Sequence, residues 1–144
     1  MDILLAIVTI WCFVNFIVAL YELYIIYHRV KLCHPTNNIL IGSWNLYTRF
    51  DPRYCMNDSY VFLIEFINAV LALPFIYIFI QILYNNITPQ LKNLAFYLSY
   101  FQVIVVLLYI GTLLPIINVT KWYYILLSIP WFLFPILVME WSRY

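Results

Sequence analysis

The chain has 144 residues, 67% of them hydrophobic and 9% charged, with a net charge of +1. Soluble domains carry roughly 45–50% apolar and about 25% charged residues. A water-covered globule is therefore excluded, and a near-neutral chain with no basic run or glycine-rich phosphate loop offers nothing to nucleic acid.

The first apolar run extends from Ile3 to Tyr27. It lacks a basic leader and is too long for a signal-peptide core, so it predicts a membrane-spanning helix. Asn15, Val18 and Glu22 fall on one stripe of it, at i, i+3 and i+7. Cys12 lies among apolar neighbours as core. Residues 28–58 form a long loop. Cys33 and Cys55 within it could pair if the loop faces an oxidising lumen. His28 and His34 read as interfacial polar residues, and they make no metal set with these cysteines at any usual spacing. No cofactor is implied. From Ile39 to Phe50 the loop mixes apolar and polar residues around Trp44, which predicts a short helix lying on the interface. Asp51-Pro52 ends it, because proline restricts the residue before it.

Three more runs follow, at about Tyr60 to Tyr84, Leu94 to Ile117 and Trp122 to Trp141. Each reaches the roughly 20 residues that cross a bilayer as a helix. In lipid such a run must be helical, because unpaired backbone groups cost several kcal/mol. The short connections 85–92 and 118–121 make consecutive helices antiparallel neighbours. The expected fold is thus an all-α integral membrane protein, a four-helix transmembrane bundle whose long first loop carries a short interfacial helix, with residues 1–144 as a single domain. Four spans place both termini on one side. Arg29, Lys31, Arg49, Arg53 and Lys121 lie on the long-loop side, against Lys92 and Arg143 on the other. The positive-inside rule then puts the long loop in the cytosol. Glycosylation sequons at Asn57, Asn86 and Asn118 fall on both sides and do not decide the matter.

Polar residues inside the runs carry the functional signal. Glu22 lies six residues before His28, and Glu65 seven after Asp58. At about 1.5 Å rise per residue both sit roughly 10 Å below the same surface. Ser128 lies at similar depth on the fourth run, and Tyr109 slightly deeper on the third. Glu65 and Asn68 share a helix face. A carboxylate at the centre of a spanning helix costs about 2.5–3.5 kcal/mol, so two at one depth are expected to face a shared cavity. The plainer reading is that each glutamate snorkels or bonds a neighbouring helix, and that Asn68 and Gln102 make ordinary interhelical hydrogen bonds. Glu140, at a helix end, can snorkel, and Gln81 lies near the opposite interface.

From Trp44 onward the sequence resembles the emopamil-binding protein family, or EXPERA domain, which includes sterol Δ8–Δ7 isomerase and the sigma-2 receptor. The matching residues are Trp44, Asp51-Pro52-Arg53-Tyr54, Asp58, Glu65 and Pro74, followed less specifically by Gln102 and Tyr109, then by Ser128, Trp131 and Pro135. The resemblance implies helices around an intramembrane sterol pocket. It implies Glu22, Asp51, Glu65 and Trp131 as site residues, with Ser128 at the isomerase asparagine position and Glu22 and Glu65 as candidate catalytic acids; Asn68, by its shared face, and Tyr109, by its depth, complete the expected ligand set. The isomerases carry a histidine four residues before the first acid, where this chain has Val18. They have an asparagine in place of Ser128, and an acid near Val105. The preferred reading is a sterol- or lipid-binding membrane protein without isomerase activity. A sterol Δ8–Δ7 isomerase and a structural accessory subunit of a larger membrane complex are the alternatives. The resemblance further implies residence in the endoplasmic reticulum, with another organelle membrane as the alternative. It also implies termini in the cytosol, against the charge count.

Overall fold

Apolar runs with no water to satisfy their backbones fold as helices. The computed structural model describes residues 3–49, 51–115, 126 and 128–144, and six α-helices lie among them. They are α1 (Ile3–Tyr27), α2 (Ile39–Thr48), α3 (Ser59–Ala72), α4 (Phe75–Leu83), α5 (Pro89–Leu113) and α6 (Ile129–Arg143). No strand occurs among the described residues. Three stretches are long and apolar enough to cross a membrane: Ile3–Tyr27, Ser59–Leu83 and Pro89–Leu113. The protein is therefore an integral membrane protein by length and composition of its helices.

Local chemistry sets the helix starts. Asn38 accepts the Leu40 and Ile41 N–H groups and starts α2. Asp58 accepts the Tyr60 N–H and starts α3. Thr88 accepts the Leu91 N–H ahead of Pro89, so α5 begins five residues before the expected Leu94. Such caps each contribute about 1 kcal/mol, and proline suits the first helical turn. The run expected as one straight helix over 60–84 is interrupted at Leu73-Pro74. Proline has no N–H to donate and its ring crowds the preceding turn. Of the fourth expected run, 122–141, residues 122–125 and 127 lie outside the described residues. The helix seen there is α6, 15 residues long.

Helix α1 packs on α3, α4 and α6, and α5 packs on α3 and most extensively on α6. Two apolar clusters result. One, at the loop end, includes Ile25, Ile41, Trp44, Tyr54, Phe62 and Leu113. The other, at the far end, includes Val8, Trp11, Phe75, Ile78, Leu91, Val138 and Trp141, with Cys12 buried in it. Ala19, Ala69 and Ala72 meet between α1 and α3, where small side chains let the backbones approach. Between the clusters, Asn15 and Gln102 exchange two hydrogen bonds: Asn15 Nδ2 donates at 3.2 Å and Gln102 Nε2 at 3.0 Å. That pairing satisfies two amides that lipid would not.

The 28–58 segment folds back over the loop end of the bundle. The Tyr21 hydroxyl donates to the Leu40 carbonyl at 3.0 Å and lies 2.7 Å from the Ser43 hydroxyl. Asn38 Nδ2 donates to the Tyr24 hydroxyl at 2.7 Å. These contacts fix α2 to α1. On the other flank Cys33 and Cys55 form a disulfide with their Cα atoms 5.6 Å apart. Asn45 ties the Cys33 end to α2 by accepting the Cys33 N–H at 3.0 Å and donating to the His34 carbonyl at 3.3 Å.

Candidate functional site

Beneath α2 lies a cavity of about 270 Å³. Val18, Tyr21 and Glu22 of α1 line it, with Trp44 and Tyr47 of α2 and Ile64, Glu65 and Asn68 of α3. Val105, Val106 and Tyr109 of α5 and Ser128 and Trp131 at the start of α6 complete the wall. Four helices and the overlying segment thus converge on one chamber at the depth where their polar side chains lie.

Its polar side is built around the two glutamates. Glu22 is buried, and Asn68 Nδ2 donates to both its carboxyl oxygens, at 3.0 and 3.1 Å. Glu65, half-buried, lines the same wall as Glu22. The Tyr54 hydroxyl donates to Glu65 Oε1. Burial, then the nearby Glu65 charge, push the Tyr54 phenol well above its usual range, so it stays protonated and able to donate. Tyr47 is pushed up by the same two causes in the same order.

The apolar side is aromatic. Trp44 meets Tyr21 edge-on with ring centroids 5.4 Å apart, Tyr47 at 5.3 Å and Tyr54 at 5.5 Å. Trp131 packs edge-on against Trp11 at 5.2 Å. These contacts fix ring orientation and leave flat faces around the chamber. Two wall residues each carry one fully buried polar atom without a hydrogen-bond partner within the protein: Trp44 Nε1 and Asn68 Oδ1.

Of the residues expected at the site, Glu22, Glu65, Asn68, Tyr109, Ser128 and Trp131 line the cavity, and Asp51 does not. Asp51 is fully buried beside it. Arg53 grips the Asp51 carboxylate through Nε at 2.8 Å and Nη2 at 2.6 Å, and Tyr109 donates its hydroxyl to Asp51 Oδ2 at 3.0 Å. Arg53 Nη1 reaches Thr112 Oγ1 at 2.8 Å, and the guanidinium lies 5.4 Å from the Tyr109 ring centroid. Burial alone would lower the Arg53 pKa, but the hydrogen bonds and charge of Asp51 hold it above the usual value. Asp51 thus anchors the loop to α5, through Tyr109 directly and through Arg53 to Thr112.

Residue pattern alone missed Tyr21, Tyr47 and Tyr54. The Arg53-Tyr54 step after Asp51 was the available signal for Tyr54, and the place of Tyr21 three residues after Val18 was the signal for Tyr21; Tyr47 has none, since only the fold-back of α2 brings it in. Among the described residues no group of three or more His, Cys, Asp or Glu side chains is placed to hold a metal ion. No family model, curated protein or solved structure matches the chain, so the site is read from its own geometry.

Proposed function

We propose that this chain is an intramembrane lipid-binding protein of the EXPERA type. It takes the polar end of a sterol or similar flat lipid into the chamber beneath α2, without isomerising it. The observation that carries this reading is the meeting of Glu22 and Glu65, from two helices, in a single aromatic-walled cavity of about 270 Å³. That volume lies just under the roughly 300–1,000 Å³ of clefts that engulf a drug-sized ligand. It suits the head of a lipid whose remainder stays in the bilayer. Val18 lines the chamber where the similar isomerases carry histidine, so the wall lacks that proton carrier. A fourth span ending in α6 completes the bundle, and α2 lies at the membrane surface as a cover. The Cys33–Cys55 bond supports placing this cover in an oxidising compartment, such as the lumen of the endoplasmic reticulum, because disulfides are rare in the cytosol. That orientation is opposite to the one the charge bias favours.

A second reading, sterol Δ8–Δ7 isomerase, draws on the same glutamate pair. Two carboxyl groups lining one cavity could act as an acid and a base. Incubating the purified, reconstituted protein with a photoreactive sterol and, separately, with a Δ8 sterol distinguishes the two. The binding reading expects saturable photolabelling, weakened by Glu65→Gln, and an unchanged Δ8 sterol by mass spectrometry. Conversion of the Δ8 sterol would establish the isomerase. Absence of saturable labelling would leave only a structural role in a larger membrane complex.

A further inference from the structure

Resting on the reading of α2 as the cover of a ligand chamber, we propose that the Cys33–Cys55 disulfide is a site of thiol–disulfide exchange, and that its reduction by a dithiol oxidoreductase releases the middle of that cover. The observation that points to it is backbone strain. Three non-glycine residues among those described have a positive φ: Asn57 at +54°, Asn85 at +56° and Cys33 at +67°. Asparagine tolerates this left-handed region, whereas other side chains with a Cβ enter it at a cost. Such a conformation persists only where its surroundings impose it. Two contacts of Cys33 do so: the covalent bond to Cys55, 22 positions on, and the hydrogen bond that its N–H donates to Asn45 Oδ1 at 3.0 Å. The second is exposed, and water competes for it. The disulfide is therefore what keeps Cys33 wound.

The wound residue is coupled to the chamber through Asn45. That side chain takes the Cys33 N–H and donates to the His34 carbonyl at 3.3 Å. It stands on α2 beside Trp44 and two residues before Tyr47, both of which line the chamber. Reduction frees the Cys33 backbone to return to negative φ, which turns its N–H away from Asn45 and unties this flank of α2. Other attachments stay: Asn38 to Tyr24, Tyr21 to the Leu40 carbonyl, and Tyr109 to Asp51. The helix is then held at its start and beyond its end, while its middle is loosened over the chamber. Both cysteines are exposed, so a dithiol can reach the bond. One thiolate of the dithiol attacks a cysteine sulfur, breaks the S–S bond and forms a mixed disulfide, from which the second thiolate displaces that cysteine. Two electrons and two protons pass to Cys33 and Cys55, and the dithiol leaves as a disulfide. The oxidising compartment proposed for this face holds dithiol proteins of that kind.

Hydrogen exchange on the reconstituted full chain, oxidised and after dithiothreitol, tests this without any ligand. Ten residues are too few for a helix to persist undocked in water, so the α2 amides report its release. They are expected to exchange about tenfold faster after reduction, the low end of what one strained residue supports, while the α1 and α5 amides stay unchanged. A bound photoreactive sterol probe should leave the chamber faster in parallel. Glycine adopts a φ of +67° without strain. The double variant Cys33→Gly, Cys55→Ser should therefore exchange several-fold more slowly at α2 than Cys33→Ser, Cys55→Ser, although neither can form the bond. Equal α2 exchange in oxidised and reduced protein, or equal rates in the two variants, overturns the proposal. Faster exchange throughout the chain also overturns it, by making the bond a general staple, and so does a disulfide that dithiothreitol leaves intact in the folded protein. No saturable probe labelling in either redox state defeats the lipid-site reading instead, and the exchange rates still decide the release of α2.

Discussion

Replacing Arg53 by methionine isolates the part played by the buried Asp51–Arg53 pair. Asp51 has no exposed surface, and its carboxylate takes hydrogen bonds from Arg53 at 2.6 and 2.8 Å and from Tyr109 at 3.0 Å. Methionine fills similar space but leaves the carboxylate with Tyr109 as its remaining side-chain donor, and leaves Thr112 without the guanidinium. Removing one partner of a buried ion pair costs about 3–5 kcal/mol, because the other charge stays desolvated. The retained Tyr109 bond argues for the lower part of that range. The folding equilibrium should then shift by roughly a hundredfold or more. Reversible unfolding in mixed detergent micelles, followed by tryptophan fluorescence, measures it. The double variant Asp51→Asn, Arg53→Met removes the stranded charge and should recover most of the loss. A cost under about 1 kcal/mol for Arg53→Met alone, or no recovery in the double variant, would refute the assignment of Asp51 to anchoring and reopen it as a ligand group.

Other expectations follow from single observations. In denatured, unreduced protein a thiol reagent should label Cys12 alone, and reduction should raise the count to three, since Cys33 and Cys55 are bonded. Asn15→Leu should cost about 1–2 kcal/mol by stranding the Gln102 amide in an apolar interior, whereas the double variant with Gln102→Leu should be nearly neutral in the same unfolding assay. Tyr54 has its folded pKa raised well above the unfolded value of about 10. Its unfolded form therefore loses its proton first, and the stability it contributes is present below about pH 10 and falls as pH rises further. Unfolding measured from pH 9 to 11 should show a steeper decline for the wild-type protein than for Tyr54→Phe.

The spanning helices were legible because lipid enforces a simple rule: a long apolar run must satisfy its own backbone. Depth was legible for the same reason. Rise per residue along a regular helix puts Glu22 and Glu65 at one level, and α1 and α3 do bring them together. The break at Pro74 shows where that rule stops. Hydropathy continues unbroken from Ser59 to Leu83, while the backbone does not. The loop was far less legible. The partners of Asp51 include Tyr109, 58 positions away. Nothing local in Asp51-Pro52-Arg53 says whether its carboxylate will meet a ligand or a guanidinium and a phenol. Tyr47 enters the chamber only because α2 folds back over it, a consequence of the Cys33–Cys55 bond and the Tyr21 and Tyr24 contacts taken together. Residue spacing left the cysteine pairing open.

The central claim is that the chamber between α1, α3 and α5 receives a lipid. A density map of the protein purified in nanodiscs with added sterol tests it most directly. An elongated feature reaching in from the bilayer, ending beside Glu22 and Glu65 under the Trp44 ring, is the predicted result. A chamber closed by repacked side chains, or one holding only isolated solvent peaks, would contradict it.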